Sequence, residues 1–226
     1  MNTVENNVKT IAVFSDDNQH RTLLRKTWSD DDSQKRGAIL MIFPASNNIA
    51  ILDTTTMIVM NALASEGFKS VDILNIYSKI DAKGSDSASG NIPENDKQIR
   101  QTASEVDCLI IAWGTGGEGN SKIRARQIAV LKILEPFKEK LMTTVDWRNK
   151  TSMHPLTPSL RKSFGLTEFD FPNIHALVEA GAADGEENAG GEVGGEHNAA
   201  GDTGRGRKNK HHKRNAAETQ TEGDSQ

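Results

Sequence analysis

A single cysteine, Cys108, stands in 226 residues. One thiol excludes an internal disulfide and a cysteine-based zinc site, and its place inside the apolar run DCLIIAW is poor for a nucleophile, which needs exposure and a lowered pKa. Aromatic residues are also sparse. All eleven lie between Phe14 and Phe171, so the remainder of the chain has no large side chains from which to build a core. No apolar run approaches the roughly 18 residues of a membrane span, and MNTVENNVKT has no signal-peptide core. A cytoplasmic protein without a membrane segment is expected.

Histidine is scarce too. His20, His175, His197, His211 and His212 fall in a hairpin, an exit segment or the tail, and His154 alone lies near an expected sheet edge. With so few imidazoles and one thiol, neither a metal site nor a cofactor is expected. The formal charge of -4 hides a split: residues 1–178 carry 21 Lys and Arg against 21 Asp and Glu. Residues 179–202 then hold seven acids and no Lys or Arg, before the basic knot RGRKNKHHKR at 205–214. Residues 177–226 also hold ten of the nineteen glycines and cannot bury enough apolar surface to offset their ordering entropy. The organisation expected is a globular domain over 1–176 and a disordered tail over 177–226. Arg205, Arg207, Lys208, Lys210, Lys213 and Arg214 either meet a nucleotide or nucleic acid through salt-sensitive attraction or are neutralised by the acidic half of the same tail.

What is present is a regular alternation. KTIAVFS and HRTLLRKTWS, joined by DDNQ, read as a hairpin. AILMIF, bounded by Gly37 and Pro44, reads as a strand covered on both faces. A helix follows over about 54–66, with Asp53 or Thr54 as N-cap and Gly67 as C-terminal cap. SVDILNIYS, DCLIIAWG and KLMTTVDW read as further strands, separated by a polar loop, a helix over about 94–105 and a helix over about 121–137. TSMHPLTPSLRKSFGL closes the folded part. Four strand and helix alternations predict an α/β fold: a three-layer α/β/α arrangement with a mostly parallel four-stranded sheet, plus the N-terminal hairpin. Ligands of such sheets sit beyond the carboxyl ends of the strands.

The segments that fall there supply the candidate site. Asp53 is first a helix cap, and it is also the carboxylate best placed for acid-base or water-activating work. His154, presented from the proline-rich turn MHPLTPS, can donate a proton or hydrogen bond near neutral pH. Ser46 can meet it at the sheet edge, without the GxSxG elbow. Asn47, Asn48 and Asn75 each offer one donor and one acceptor to a polar ligand edge. Trp113 ends its strand beside Gly114, either as a stacking face for a flat ring or as core packing. GTGGEGNSK is a phosphate cradle at a helix start or a connector; it has neither Walker nor GxGxxG spacing.

LDTTTMIVM, VDILNIYS, ND at 95 and 96, LIIAWGT, the helix start from Arg124 to Arg126 and HPLTPSLR together resemble the bacterial and phage family called domain of unknown function 1643, over about residues 10–170. That resemblance implies site positions at Asp53, Thr55, Asn75, Trp113, Gly114, Arg124, His154 and Pro155. Members usually carry Asn-Pro-Ser-Thr-Ala-Asp where this chain has FPASNN, so of that block only Pro44 is kept. A fainter similarity reaches the uracil-DNA glycosylase superfamily, with its four-stranded parallel sheet, water-positioning proline loop, base-reading asparagine and late histidine-proline turn. By that similarity Asn75 reads a base edge, His154 stabilises the departing base, and Asp53 or Ser46 holds a water. Two functions are therefore expected as alternatives: a nucleotide- or nucleic-acid-directed, glycosylase-like hydrolase, or a non-catalytic binding protein of a phage or mobile element.

Overall fold

A computed structural model describes residues 1–80 and 92–174, all within the first of two units, Met1–Ala189. The tail, its basic knot and most of the polar loop expected between the second strand and the second helix lie outside the described residues.

The elements are β1 Lys9–Phe14, β2 Arg21–Thr27, β3 Lys35–Met41, α1 Thr54–Ser65, β4 Phe68–Asn75, α2 Ile92–Glu105, β5 Cys108–Ile111, α3 Ser121–Leu134, β6 Leu141–Val145, α4 Pro158–Lys162 and β7 Gly165–Glu168. They form one seven-stranded sheet in the order β1-β2-β4-β3-β5-β6-β7. The four central strands β4, β3, β5 and β6 are mutually parallel, and β1, β2 and β7 extend the sheet in antiparallel fashion. The expectation of a four-stranded sheet is thereby corrected. The hairpin is not an appendage, because Leu24 to Thr27 of β2 pair with Ser70 to Ile73 of β4. The closing segment turns back to lay β7 on β6, from Glu168 opposite Met142 to Gly165 opposite Val145.

Strand side chains alternate between two cores, as the pleat requires. Ala38, Leu40, Leu74, Leu109 and Ile111 join Ile99 and Ala103 of α2 and Val130 and Leu134 of α3. Ile39, Met41, Val71, Ile73 and Ile110 join Val59 and Leu63 of α1. Helices thus cover both faces, with only α1 among the long helices on the second. Within α1 the buried set is Thr56, Val59 and Leu63, whereas the apolar Met57 and Ala64 are exposed. The helix expected to reach Phe137 stops at Leu134, and residues 135–140 continue as a 3-10 helix. Pro136 explains the change, since it has no N–H to donate and its ring crowds the preceding turn.

One ion network ties β2, β3, β4 and α2 together. Asp72, 1% exposed, accepts from Arg25 Nε at 2.6 Å and Arg25 Nη2 at 2.6 Å. Arg36 Nη2 stands 3.9 Å from the same carboxylate and 3.7 Å from Glu105, which also lies 3.8 Å from Arg25.

Candidate functional site

Because β3, β4, β5 and β6 run parallel, the segments that follow them emerge at one edge. The ladder continues a little past the strands: Ile76 N–H donates to Met41 O at 2.8 Å, Tyr77 N–H to Ile42 O at 3.1 Å, and Ala112 N–H to Leu40 O at 3.0 Å. Phe43 stacks on Tyr77 with ring centroids 5.2 Å apart. Pro44 is buried behind them. The loop beyond it is held by its own polar atoms, with Ser46 Oγ accepting from Asn48 N–H at 3.0 Å and Asn48 Oδ1 from Ala50 N–H at 3.0 Å. Ser46 and Asn48 are therefore engaged in shaping the loop, and Asn47 is exposed.

Beneath that loop sit two cations that the sequence reading passed over, Arg21 and Lys26 of β2. They are only 5% and 3% exposed. Arg21 Nη1 donates to Ser46 O at 2.9 Å, and Lys26 Nζ to Ile49 O at 3.0 Å and Thr10 Oγ1 at 2.9 Å. Arg21 Nε is buried without a partner. Burial lowers the pKa of both groups, and the carboxylate of Asp53 opposes that shift in each. Asp53 also caps α1: its Oδ1 accepts from Thr56 N–H at 3.0 Å and its Oδ2 from Thr56 Oγ1 at 2.7 Å. The two sequence readings of Asp53 are thus not exclusive, because the cap places a carboxylate against buried positive charge. Thr55 stands partly buried in the same first turn.

Asn75 ends β4 opposite Met41 and is 1% exposed. Its Nδ2 has no partner, although a buried amide donor ordinarily finds one. The strand end is clamped from two helices. Asn95 Nδ2 of α2 donates to Asn75 O at 2.9 Å and Ile76 O at 3.1 Å, while Arg126 Nε of α3 donates to Ile76 O at 2.8 Å and its Nη2 pairs with Asp96. Arg126 had been counted only as part of a helix start. It is buried, and it fixes the backbone that carries Asn75.

The Trp113-Gly114 and His154-Pro155 turns meet. Gly114 has φ +61, and a Cβ placed there would lie 3.1 Å from both the Cβ and the backbone N of His154. The histidine turn is pinned to β6 by Thr144, whose Oγ1 donates to Met153 O at 2.8 Å and accepts from Met153 N–H at 2.9 Å. Leu156 N–H donates to His154 Nδ1 at 3.2 Å, so in the neutral ring the hydrogen is on Nε2. Burial lowers the His154 pKa, with Asp53 opposing it. The result is a neutral imidazole with one outward donor. Gly114→Ala should combine the left-handed backbone penalty with this contact and destabilise the fold by about 1–2 kcal/mol, measured by urea unfolding. It should also shift the His154 ring resonances; unchanged resonances would show that the two turns do not depend on each other.

Trp113 is partly buried against the α2 and α3 core. It also lines, with Gly114, Thr115, Gly117, Glu118, Arg124 and Gln127, a pocket of about 190 Å³. That volume is below the range of drug-sized ligand sites, but a single ring fits it. The glycine-rich loop forms its wall. Gly116 packs so closely on Ile42 that a Cβ would overlap it, and Asn120 Oδ1 caps α3 by accepting from Ile123 N–H at 3.1 Å. Arg124 is exposed at this rim. The sequence-predicted residues therefore divide into Asp53, joined by Arg21 and Lys26 at the loop that holds Ser46, a His154 and Gly114 contact, a Trp113 and Arg124 pocket, and the enclosed Asn75. Asp53 links the first two, since His154 feels its charge.

Residues 21–156, more than half the chain, match the model of a family described as protein of unknown function (DUF1643). The match starts at Arg21 and ends just after His154-Pro155, so it takes in every residue of the candidate site. No curated protein and no solved structure matches the chain.

Proposed function

The chain belongs to the DUF1643 family, and from that premise we propose that the carboxyl edge of its sheet is a nucleotide- or nucleic-acid-directed site that cleaves an N-glycosidic bond. The observation that carries this reading is Asn75, whose amide donor is enclosed, backed by a two-helix clamp and left without a protein partner. Leaving such a group unmade costs about 1–3 kcal/mol, a loss that a base carbonyl would relieve. The similarity to uracil-DNA glycosylases assigns that reading role to the same residue, at the end of the second parallel strand.

In the reaction, the bond from C1′ to the base nitrogen breaks and its electron pair stays with the base. His154 Nε2–H donates to the base oxygen on which that charge collects, which a neutral imidazole does without first losing a proton. A water held near Asp53 or Ser46 adds its oxygen to C1′ and releases a proton to the Asp53 carboxylate, whose oxygens keep spare lone pairs beyond the two Thr56 bonds. Arg21 and Lys26 hold the loop carbonyls of Ser46 and Ile49 and so position that water.

A second reading rests on the loop itself. No carboxylate occurs in residues 43–48, and its hydroxyl and one amide already serve the backbone. This favours a non-catalytic protein that captures a nucleotide or strand; a phage or mobile-element setting is what the family resemblance alone implies for it. Screening oligonucleotides and nucleosides for base release decides between them. Asn75→Asp should invert the hydrogen-bond preference at the base edge and reduce release of the preferred base by roughly 10–100-fold. Absence of release from every base, with binding that Asn75→Asp still weakens, would replace the catalytic reading by the binding one.

A further inference from the structure

Residues 146–152 leave β6 at the same edge and form a turn closed by hydrogen bonds to Asp146. Asp146, 4% exposed, accepts from Arg148 N–H at 2.9 Å, Lys150 N–H at 3.0 Å, Arg148 Nε at 3.1 Å and Arg148 Nη2 at 3.0 Å. Burial pushes its carboxyl upward, but hydrogen bonds from Ser159, Lys150 and Arg148 outweigh that and hold it well below the usual range. Asn149 and Ser152 both take left-handed backbone angles, φ 60 and 58. On top of this fixed turn Trp147 is 66% exposed, with the Arg148 guanidinium 5.3 Å from its ring centroid. From 147 to 162 the chain carries four exposed cations, Arg148, Lys150, Arg161 and Lys162, and no acid.

A mobile loop that happens to hold a tryptophan would look different. Here hydrogen bonds to Asp146 hold the backbone while the ring faces solvent, and among the described residues only Arg148 of these four cations has its charge matched by a neighbouring carboxylate. An exposed aromatic ring in a segment that carries exposed cations and no acid has the chemistry of a single-strand platform, on which a base stacks while ammonium and guanidinium groups follow the phosphates. We propose that the 147–162 segment is a docking surface for a single-stranded polynucleotide, with one base stacked on Trp147 and phosphates held by Lys150, Arg161 and Lys162. This rests on the reading of the adjoining edge as nucleic-acid-directed and narrows its substrate to a strand rather than a free nucleotide.

Fluorescence anisotropy of a labelled oligothymidylate of about ten nucleotides tests it, using the full-length chain so that the tail is the same in every variant. Trp147→Ala should weaken binding by roughly tenfold and Trp147→Phe should recover most of the loss. Lys150→Gln combined with Lys162→Gln should shallow the salt dependence by about 1–1.5 in log-log slope. Unchanged affinity in Trp147→Ala, equal affinity for the duplex, or Trp147-dependent binding to phosphatidylserine vesicles alone would each overturn the proposal. Failure of the two readings is distinguishable. Base release that persists while Trp147→Ala leaves strand affinity intact removes only the docking surface; strand binding that depends on Trp147 without any base release removes only the catalysis.

Discussion

On the proposed reaction, replacing His154 by alanine should lower base release by about 10²–10³-fold, because the group removed is the donor proposed to meet the oxygen where charge develops. The effect should fall on the chemical step in single-turnover experiments, with oligonucleotide affinity nearly unchanged. The pH dependence carries a second signature. Nδ1 already accepts the Leu156 N–H, so protonating it would set two donors against each other. Burial acts in the same direction and holds the pKa below its ordinary value of 6.5. The rate should therefore be level from pH 6.5 to about 8 and fall only below 6.5. Stability follows the same sign. The folded pKa lies under the unfolded one, so the unfolded chain binds the extra proton in that window. Stability from this residue is complete above pH 6.5 and is lost as pH falls through the folded pKa. Titrating the ring by NMR checks this, and a folded pKa above 6.5 would remove His154 as the neutral donor.

The second large effect is on stability. Asp72→Ala should destabilise the protein by about 2–4 kcal/mol in urea, since it deletes a carboxylate that is 1% exposed and strands Arg25 and Arg36 beside it. The figure is below that of a fully enclosed pair because Arg25 keeps 25% of its side-chain exposure and Arg36 keeps 30%. Asp72→Asn, which retains shape and an acceptor, should cost less. A change under about 1 kcal/mol for the alanine variant would mean that water replaces the carboxylate without loss.

Local signals carried much of this architecture. The Asp53 cap and Gly67, with φ +79, bracket α1 as expected because capping depends on a few neighbouring residues. The runs AILMIF, SVDILNIYS, DCLIIAWG and KLMTTVDW mark the four central strands, and the carboxyl ends of the last three place Asn75, Trp113 and His154 on one edge. What could not be read locally depended on pairing. GLTE has no strand signature until β6 lies beside it, and the hairpin reveals nothing of its partner β4. Arg21 and Lys26 belong to the same class. Cations in a short strand are expected at the surface, and only the covering loop with Asp53 above it makes their burial sensible. Trp147 was hidden for the opposite reason: within KLMTTVDW it reads as strand end, yet β6 stops at Val145 and leaves the ring outside.

Cys108, at the start of β5 with neighbours from the α1 face of the sheet, has its thiol pushed up to about 11, chiefly by burial and with Asp107 adding to it. Only the thiolate reacts with alkylating reagents, and a thiol held this far above neutral pH carries very little of it. The lone sulfur, partly exposed at the strand's start, is thus a slow reporter: its labelling should quicken as pH rises toward the thiol pKa, so that the rate reads how strongly the fold suppresses the thiolate.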